Sequence, residues 1–368
     1  MVFSFFIYTF LMFSFFMSTL PIVRYEKNKT VNIGIVRIFC FIICIFILGL
    51  RYNVGTDYLA YERLFYQTDK RTLEVFYQVL SNIFFRLNLP YWCMTIVVET
   101  IKILLSQRLI CRVFPKINKK LFWFFFFTTS FLFQSLNIQR HALATLCFLQ
   151  GITGIKDRKF SIYLFWILIG AGFHYSILLM LFLYPLCLLY LRFSQKKVIT
   201  IYFLFLISFI FNEVVSNLLL DFFFFLMQFT PYAHYGTLLF SWDMPTERGI
   251  GKLVRFTVFS IVFLFRKKLN REYGQDFDIV FFLCFIGNTL SNMFSHSMLL
   301  FRLFFPFITC NIMLYSILFN SLKHYKKYIP QLLYYGGLTL FILYFIGQIF
   351  SSNNLSSPFQ FIFWKYSV

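Results

Sequence analysis

Long apolar runs alternate with short polar stretches along the whole chain, and their spacing predicts helices of membrane-spanning length. The runs fall at 3–23, 33–50, 91–107, 121–136, 141–155, 160–173, 175–191, 199–226, 252–265, 279–294, 298–319 and 330–350. That makes about twelve spans, judged against the ~20 residues a helix needs to cross a bilayer core. Residues 160–191 are too long for one helix. Gly170, Gly172 and His174 divide them, because helix propensity drops there and a polar group enters. Residues 74–90 are apolar but interrupted by Asn82, Arg86 and Asn88, a pattern suited to a helix lying in the interface.

Composition places this pattern in a polytopic membrane protein. The 368 residues are 60% hydrophobic, 23% aromatic and only 13% charged, with a mean hydropathy of +0.73. A water-soluble domain of this length needs more charge to cover its surface. Residues 1–20 lack a basic n-region and a small-residue cleavage site, so they are expected to form the first span rather than a cleaved leader.

The net charge of +20 changes the picture only once its distribution is followed. Most of the 34 basic residues cluster in alternate loops: Arg24 to Arg37, Arg108 to Lys120, Lys156 to Lys159, Arg192 to Lys197, Arg266 to Arg271, and Lys323 to Lys327. The positive-inside rule puts those loops in the cytoplasm and both termini outside. The charge is therefore a topology signal, and with no RNP, zinc-finger or helix-turn-helix pattern no nucleic-acid partner is expected.

On that topology the loops 51–73 and 227–251 lie at the outer face, together with Asn137, Gln139, Arg140, His141, His174, Ser295, His296 and Arg302. Every histidine except His324 falls there. Spans starting near Arg140, His174, Lys252 and Arg302 also turn their N-termini outward, where free backbone N–H groups and the helix dipole favour anions. Arg140 and Arg302 beside such ends would make an external anion pocket; each alone also fits a snorkelling anchor. The stretch RYNVGTDYLAYERLF, Arg51 to Phe65, concentrates Arg51, Asp57, Glu62, Arg63, Tyr52, Tyr58 and Tyr61 at a membrane boundary. Two readings stand for it, a functional cluster or an interfacial belt of Tyr and Arg.

Other signals narrow the chemistry. The eight cysteines lie in or at the ends of apolar spans without a CxxC pair, which reads as small core residues. No HExxH, Walker A or GxGxxG pattern occurs, so no metal or nucleotide cofactor is expected. Glu99 and Lys102 are spaced to pair inside the bundle. Asn212, Glu213, Asn217 and Asp221 make the 199–226 run polar on part of its length, lining either a groove or an interhelical seam.

RYNVGTDYLAYERLF resembles the signature of the EpsG-like bacterial polysaccharide polymerases, a branch of the Wzy-type O-antigen and capsule polymerases. LEVFYQVLSNIFFRLNL from Leu73, with Glu74 ahead of an amphipathic stretch, follows in the expected order. NIQRHALATLCFLQGI from Asn137 is similar to the family's Arg-plus-Ala helix and places its arginine on Arg140. KFSIYLFWILIGAGFHYSILLMLFLYPL from Lys159 resembles its Phe-His-x-Ser helix pair, with His174 and Ser176. YAHYGTLLF and the Arg302 helix sit where that family has an external tyrosine segment and a late arginine. One departure is His141, where many relatives have Gln.

The resemblance implies an all-α, GT-C-like glycosyltransferase architecture without a large soluble domain. It implies metal-independent transfer of a glycan from undecaprenyl pyrophosphate to a lipid-linked repeat unit at the periplasmic face of the inner membrane. A chain-length co-polymerase is the expected protein partner. Arg140 and Arg302, with Arg51, would hold pyrophosphate, since guanidinium neutralises developing phosphate charge bidentately. The base would be Asp57, then His174, then Glu74. Tyr52, Tyr58, Tyr61, Tyr232 and Tyr235 would stack on sugar rings or anchor the interface. A flippase or transporter of lipid-linked saccharide and a membrane O-acyltransferase are the competing readings. The first should show repeated halves and mid-membrane charge.

Overall fold

The computed structural model describes residues 1–19, 23–26, 29–32, 34–67, 73–193, 198–211, 221, 225, 228, 250–294, 298–351 and 356–366. Helices dominate, and Val23–Glu26 pairs with Lys29–Asn32 in a short antiparallel hairpin, with Val23 opposite Asn32 and Glu26 opposite Lys29. That hairpin is a small departure from the all-helical expectation. The chain divides into two compact units. One holds residues 1–153, 161–178 and 322–368, and the other 154–160 and 179–321.

The first helix shows why the exterior belongs in lipid. In α1 (Val2–Met17), Ser4, Tyr8, Leu11, Ser14 and Phe15 face inward, while Phe6 is 65% and Phe13 59% exposed. A soluble helix would turn those rings inward and the serines out. Among the described residues three helical stretches are long and apolar enough to cross a membrane: Tyr175–Arg192, Leu303–Lys323 and Tyr328–Ser351. Val2–Met17, Ile35–Gly49, Phe160–Ala171 and Ile199–Ile210 are apolar but shorter. The expected twelve full-length spans are thus not matched one for one.

Local chemistry explains several of the differences. The run 121–136 is two helices, α6 (Lys119–Thr128) and α7 (Phe131–Asn137). Asn118 caps α6 by accepting from the Lys120 and Leu121 amides at 3.0 and 3.3 Å. The Thr128 and Thr129 hydroxyls then donate to carbonyls four residues back, and Ser130 turns to φ 65°, ending the helix. The run 298–319 has a single turn residue, Cys310, between Met298–Thr309 and Asn311–Lys323, and Leu303–Lys323 still keeps spanning length. Pro306 inside the first of these removes one ladder N–H and crowds the carbonyl four residues earlier.

In the first unit α2 (Gly34–Gly49) packs on α5 (Tyr91–Arg108), and the Thr95 hydroxyl donates to the Gly49 carbonyl at 2.5 Å. Beneath this crossing lies a buried ion cluster. Arg51 is fully buried and donates to Glu99 at 2.8 Å and to the Leu48 carbonyl at 2.5 Å. Lys102 reaches the same Glu99 oxygen at 2.7 Å and the Ser135 carbonyl at 3.0 Å. The Glu99–Lys102 pairing read from helical spacing is therefore present, with Arg51 as a third member.

The chain's last segment completes the setting of the first motif. Phe361 forms an antiparallel bridge with Arg51, the Tyr52 amide donates to Gln360 O, and the Ile362 amide donates to Leu50 O, both at 2.8 Å. Tyr8 donates to Ser356 O at 2.6 Å, and Ser4 Oγ accepts the Phe359 amide at 2.7 Å. Next, Gly55 takes φ 101°, and a Cβ there would lie 2.6 Å from Asn137 Oδ1 and 3.0 Å from Leu136 O. Asn137 Oδ1 in turn accepts the Thr56 amide at 2.8 Å. Gly55→Ala should therefore lower stability by about 1–3 kcal/mol. Thermal unfolding of the purified protein in detergent checks this, and an unchanged midpoint would remove the anchoring role given to this turn.

The second unit centres on Gln275–Met293, which packs against Leu183–Phe193, Val198–Ile210, Ile250–Tyr273 and Met298–Thr309. Asn288 and Asn311 exchange amide hydrogen bonds of 3.2 and 3.0 Å, and Asn292 donates to Ser208 at 3.3 Å. Interhelical amide pairs of this kind are the polar glue of membrane bundles.

Candidate active site

Glu74 stands immediately before α4 (Val75–Arg86), in extended backbone at φ −67°, ψ 152°. The helix is docked by its first turn. The Phe76 amide donates to Gly172 O at 2.8 Å, and the Phe76 and Phe173 rings meet edge-to-face at 5.7 Å. Gly172 permits that approach, since a Cβ on it would lie 2.3 Å from the Phe76 ring. Phe160–Ala171 forms α9, which ends where the glycines and His174 were expected to divide the long apolar run. Phe173 and His174 both donate backbone N–H to Gly170 O at 2.9 Å, and a tight helical turn, Tyr175–Phe182, then begins. This geometry delivers His174 to Glu74.

One Glu74 oxygen is 2.8 Å from His174 Nδ1, and the other accepts a hydrogen bond from Arg140, the second residue of α8 (Gln139–Lys156). The Glu74 side chain is 7% exposed, those of Arg140 and His174 20% and 32%. The carboxylate thus lies at the floor of the cluster, and the cation and imidazole reach its surface. Burial alone would raise the Glu74 pKa. The hydrogen bond from His174 and the charge of Arg140 outweigh it and hold the carboxyl below its ordinary value.

Aromatic rings fix the guanidinium. Arg140 lies 5.4 Å from the ring centre of Tyr61 on α3 (Tyr58–Tyr66) and 5.8 Å from that of Tyr77 on α4. These two rings are 5.8 Å apart. Face-on contact of this kind favours the charged group and limits its rotamers. On the other side the His141 ring sits 4.8 Å from that of His174 at 44°.

The remaining expected site residues fall in different places. Asp57 is the half-buried residue before α3, one position beyond the Thr56 amide that Asn137 anchors. Tyr52 is half-buried and meets Tyr58 edge-on at 5.8 Å. Tyr58 is fully buried against Tyr91 at 5.4 Å, and Tyr61 is 7% exposed. Tyr58 and Tyr61 are core side chains rather than an open platform for sugar. Arg51 lies inside the Glu99–Lys102 cluster with no surface to offer a ligand. Arg302 sits on Met298–Thr309 of the second unit, and its side chain lies outside the described residues. Tyr232 and Tyr235 lie outside them too, as does most of the 227–251 loop. Sequence reasoning missed Tyr77, whose one signal was its place in the first turn after Glu74, and it missed Asn137 as the anchor of the Gly55 turn.

The EpsG family model matches residues 34–367. The chain belongs to the EpsG family. The matched region takes in the 51–65 motif and all of Glu74, Arg140 and His174. No curated protein and no solved structure matches the chain. With its apolar helices, EpsG membership makes this a membrane protein of the polysaccharide polymerase and biosynthesis class. Among the described residues no group of three or more His, Cys, Asp and Glu is placed to hold a metal ion.

Proposed function

We propose that this EpsG-family protein polymerises undecaprenyl-pyrophosphate-linked oligosaccharide repeats into O-antigen or exopolysaccharide. On this reading it is a GT-C-like glycosyltransferase of the inner membrane working at the periplasmic face. The observation that carries the reading is one buried carboxylate holding both an accessible arginine and an accessible histidine. The basic loops, all on the side opposite this cluster by the positive-inside rule, support the outer location.

The acceptor sugar's hydroxyl oxygen attacks the anomeric carbon of the growing glycan. The bond from that carbon to the lipid diphosphate breaks, and its electron pair leaves with the diphosphate. With Nδ1 hydrogen-bonded to Glu74, His174 presents Nε2 to take the hydroxyl proton, and Glu74 steadies the imidazolium, the logic of a base held by a third group. Arg140 meets the developing phosphate charge. Diphosphate leaves with its charge already spread, so no separate acid and no metal is assigned. His174 thereby replaces Asp57 as the first choice of base, and Asp57 is assigned to the acceptor side.

Deletion with glycan profiling tests this reading against transport. Loss of a polymerase leaves cores capped with a single repeat and no ladder. Loss of a flippase leaves cores uncapped because the repeat never reaches the outer leaflet, and that profile would overturn the proposal.

A further inference from the structure

Glu74 occupies the guanidinium that a diphosphate would need. Its Oε2 accepts from Arg140 Nη1, its Oε1 faces His174 Nδ1, and the carboxylate lies deeper than either partner. Tyr61 and Tyr77 flank Arg140 and hold its guanidinium beside Glu74. An incoming anion that takes this guanidinium bidentately therefore competes for Nη1, the nitrogen that the carboxylate now holds. A diphosphate carries more charge and more acceptor oxygens than one carboxylate, and guanidinium binds it bidentately.

We infer that Glu74 is a resident substitute for the donor's diphosphate: binding of that diphosphate at Arg140 displaces the carboxylate, which then serves His174 alone. Donor binding and readiness of the base are coupled through one side chain. Without donor, Glu74 divides its charge between two partners. With donor, its full charge supports protonated His174, so proton acceptance is favoured only when a leaving group is in place. The inference rests on the assignment of Arg140 to diphosphate.

The test is a binding experiment on the purified full chain in detergent, with inorganic pyrophosphate and farnesyl pyrophosphate as probes. Glu74→Gln removes the competing charge, so pyrophosphate should bind on the order of tenfold more tightly, within the usual range of coupling between two events, while polymer formation falls. A purely structural Glu74 predicts the opposite sign, because loss of the carboxylate would loosen Arg140. Equal or weaker affinity in Glu74→Gln, with Arg140→Ala abolishing binding, overturns the exchange and leaves the function standing. Retained pyrophosphate binding in Arg140→Ala overturns the underlying site assignment instead. Tighter binding of the farnesyl probe identifies a lipid diphosphate as the ligand, and equal affinity of the two probes overturns that part. His174 supplies a readout that needs no folded Glu74 variant. In wild-type protein labelled with 15N-histidine, pyrophosphate should shift the imidazole signal that His174→Asn deletes. An unmoved signal under saturating pyrophosphate sinks the exchange.

Discussion

Arg140→Ala should eliminate long glycan chains while the protein remains in the membrane at its normal level. The expected loss is about 10²–10³-fold in polymerisation rate, the scale for removing one preorganised donor from developing negative charge. Arg140→Lys should recover little, since a point charge cannot reproduce the bidentate fork or the contacts with Tyr61 and Tyr77. Arg140→Ala also leaves Glu74 buried with His174 as its remaining partner in the cluster, which costs stability. The double variant Arg140→Ala with Glu74→Gln removes that penalty and separates the two effects. It should unfold near the wild-type temperature yet make no ladder. A ladder of wild-type length from the folded double variant would remove Arg140 and Glu74 from the chemistry.

Glu99→Ala should be the most damaging change away from the site. It leaves Arg51 and Lys102, both buried, without the carboxylate they share at 2.8 and 2.7 Å. Breaking a buried pair by removing one partner costs about 3–5 kcal/mol, a large share of the 5–15 kcal/mol that holds a typical domain folded. Lys102→Met should be far milder, because the cluster holds two cations and one anion and its loss leaves a neutral Arg51–Glu99 pair. Thermal unfolding in detergent orders the two variants. A Lys102→Met protein as unstable as Glu99→Ala would mean that charge balance is not what this cluster supplies.

That cluster shows how far linear reasoning reaches. Glu99 and Lys102 sit three residues apart on one helix, so their pairing is legible from helical geometry. Arg51 is 48 positions from Glu99, and nothing in local spacing joins them. At a predicted membrane boundary an arginine reads equally as ligand contact, anchor or buried ion. Only packing chooses, and here Arg51 is fully buried on Glu99 while its backbone bridges Phe361. The tyrosines behave the same way. Tyr58 and Tyr61 carry the composition of an interfacial belt, yet Tyr58 is buried against Tyr91 and the Tyr61 ring is one of the two against which Arg140 is set.

The amino-acid order by itself determined the class of protein, the family signature, the break in the run 160–191, and the candidacy of Glu74, Arg140 and His174. Those properties depend on period, composition and local propensity, which act over a few residues. Tertiary structure alone decided which candidates meet, because Glu74 lies 66 positions from Arg140 and 100 from His174. Contacts that distant follow from how helices dock, here through the Phe76 amide on the Gly172 carbonyl and the Thr56 amide on Asn137. It also decided that Arg51 belongs to the frame and His174 to the surface. Burial belongs to the packed whole, and the same side chain can be a ligand or a strut according to what covers it.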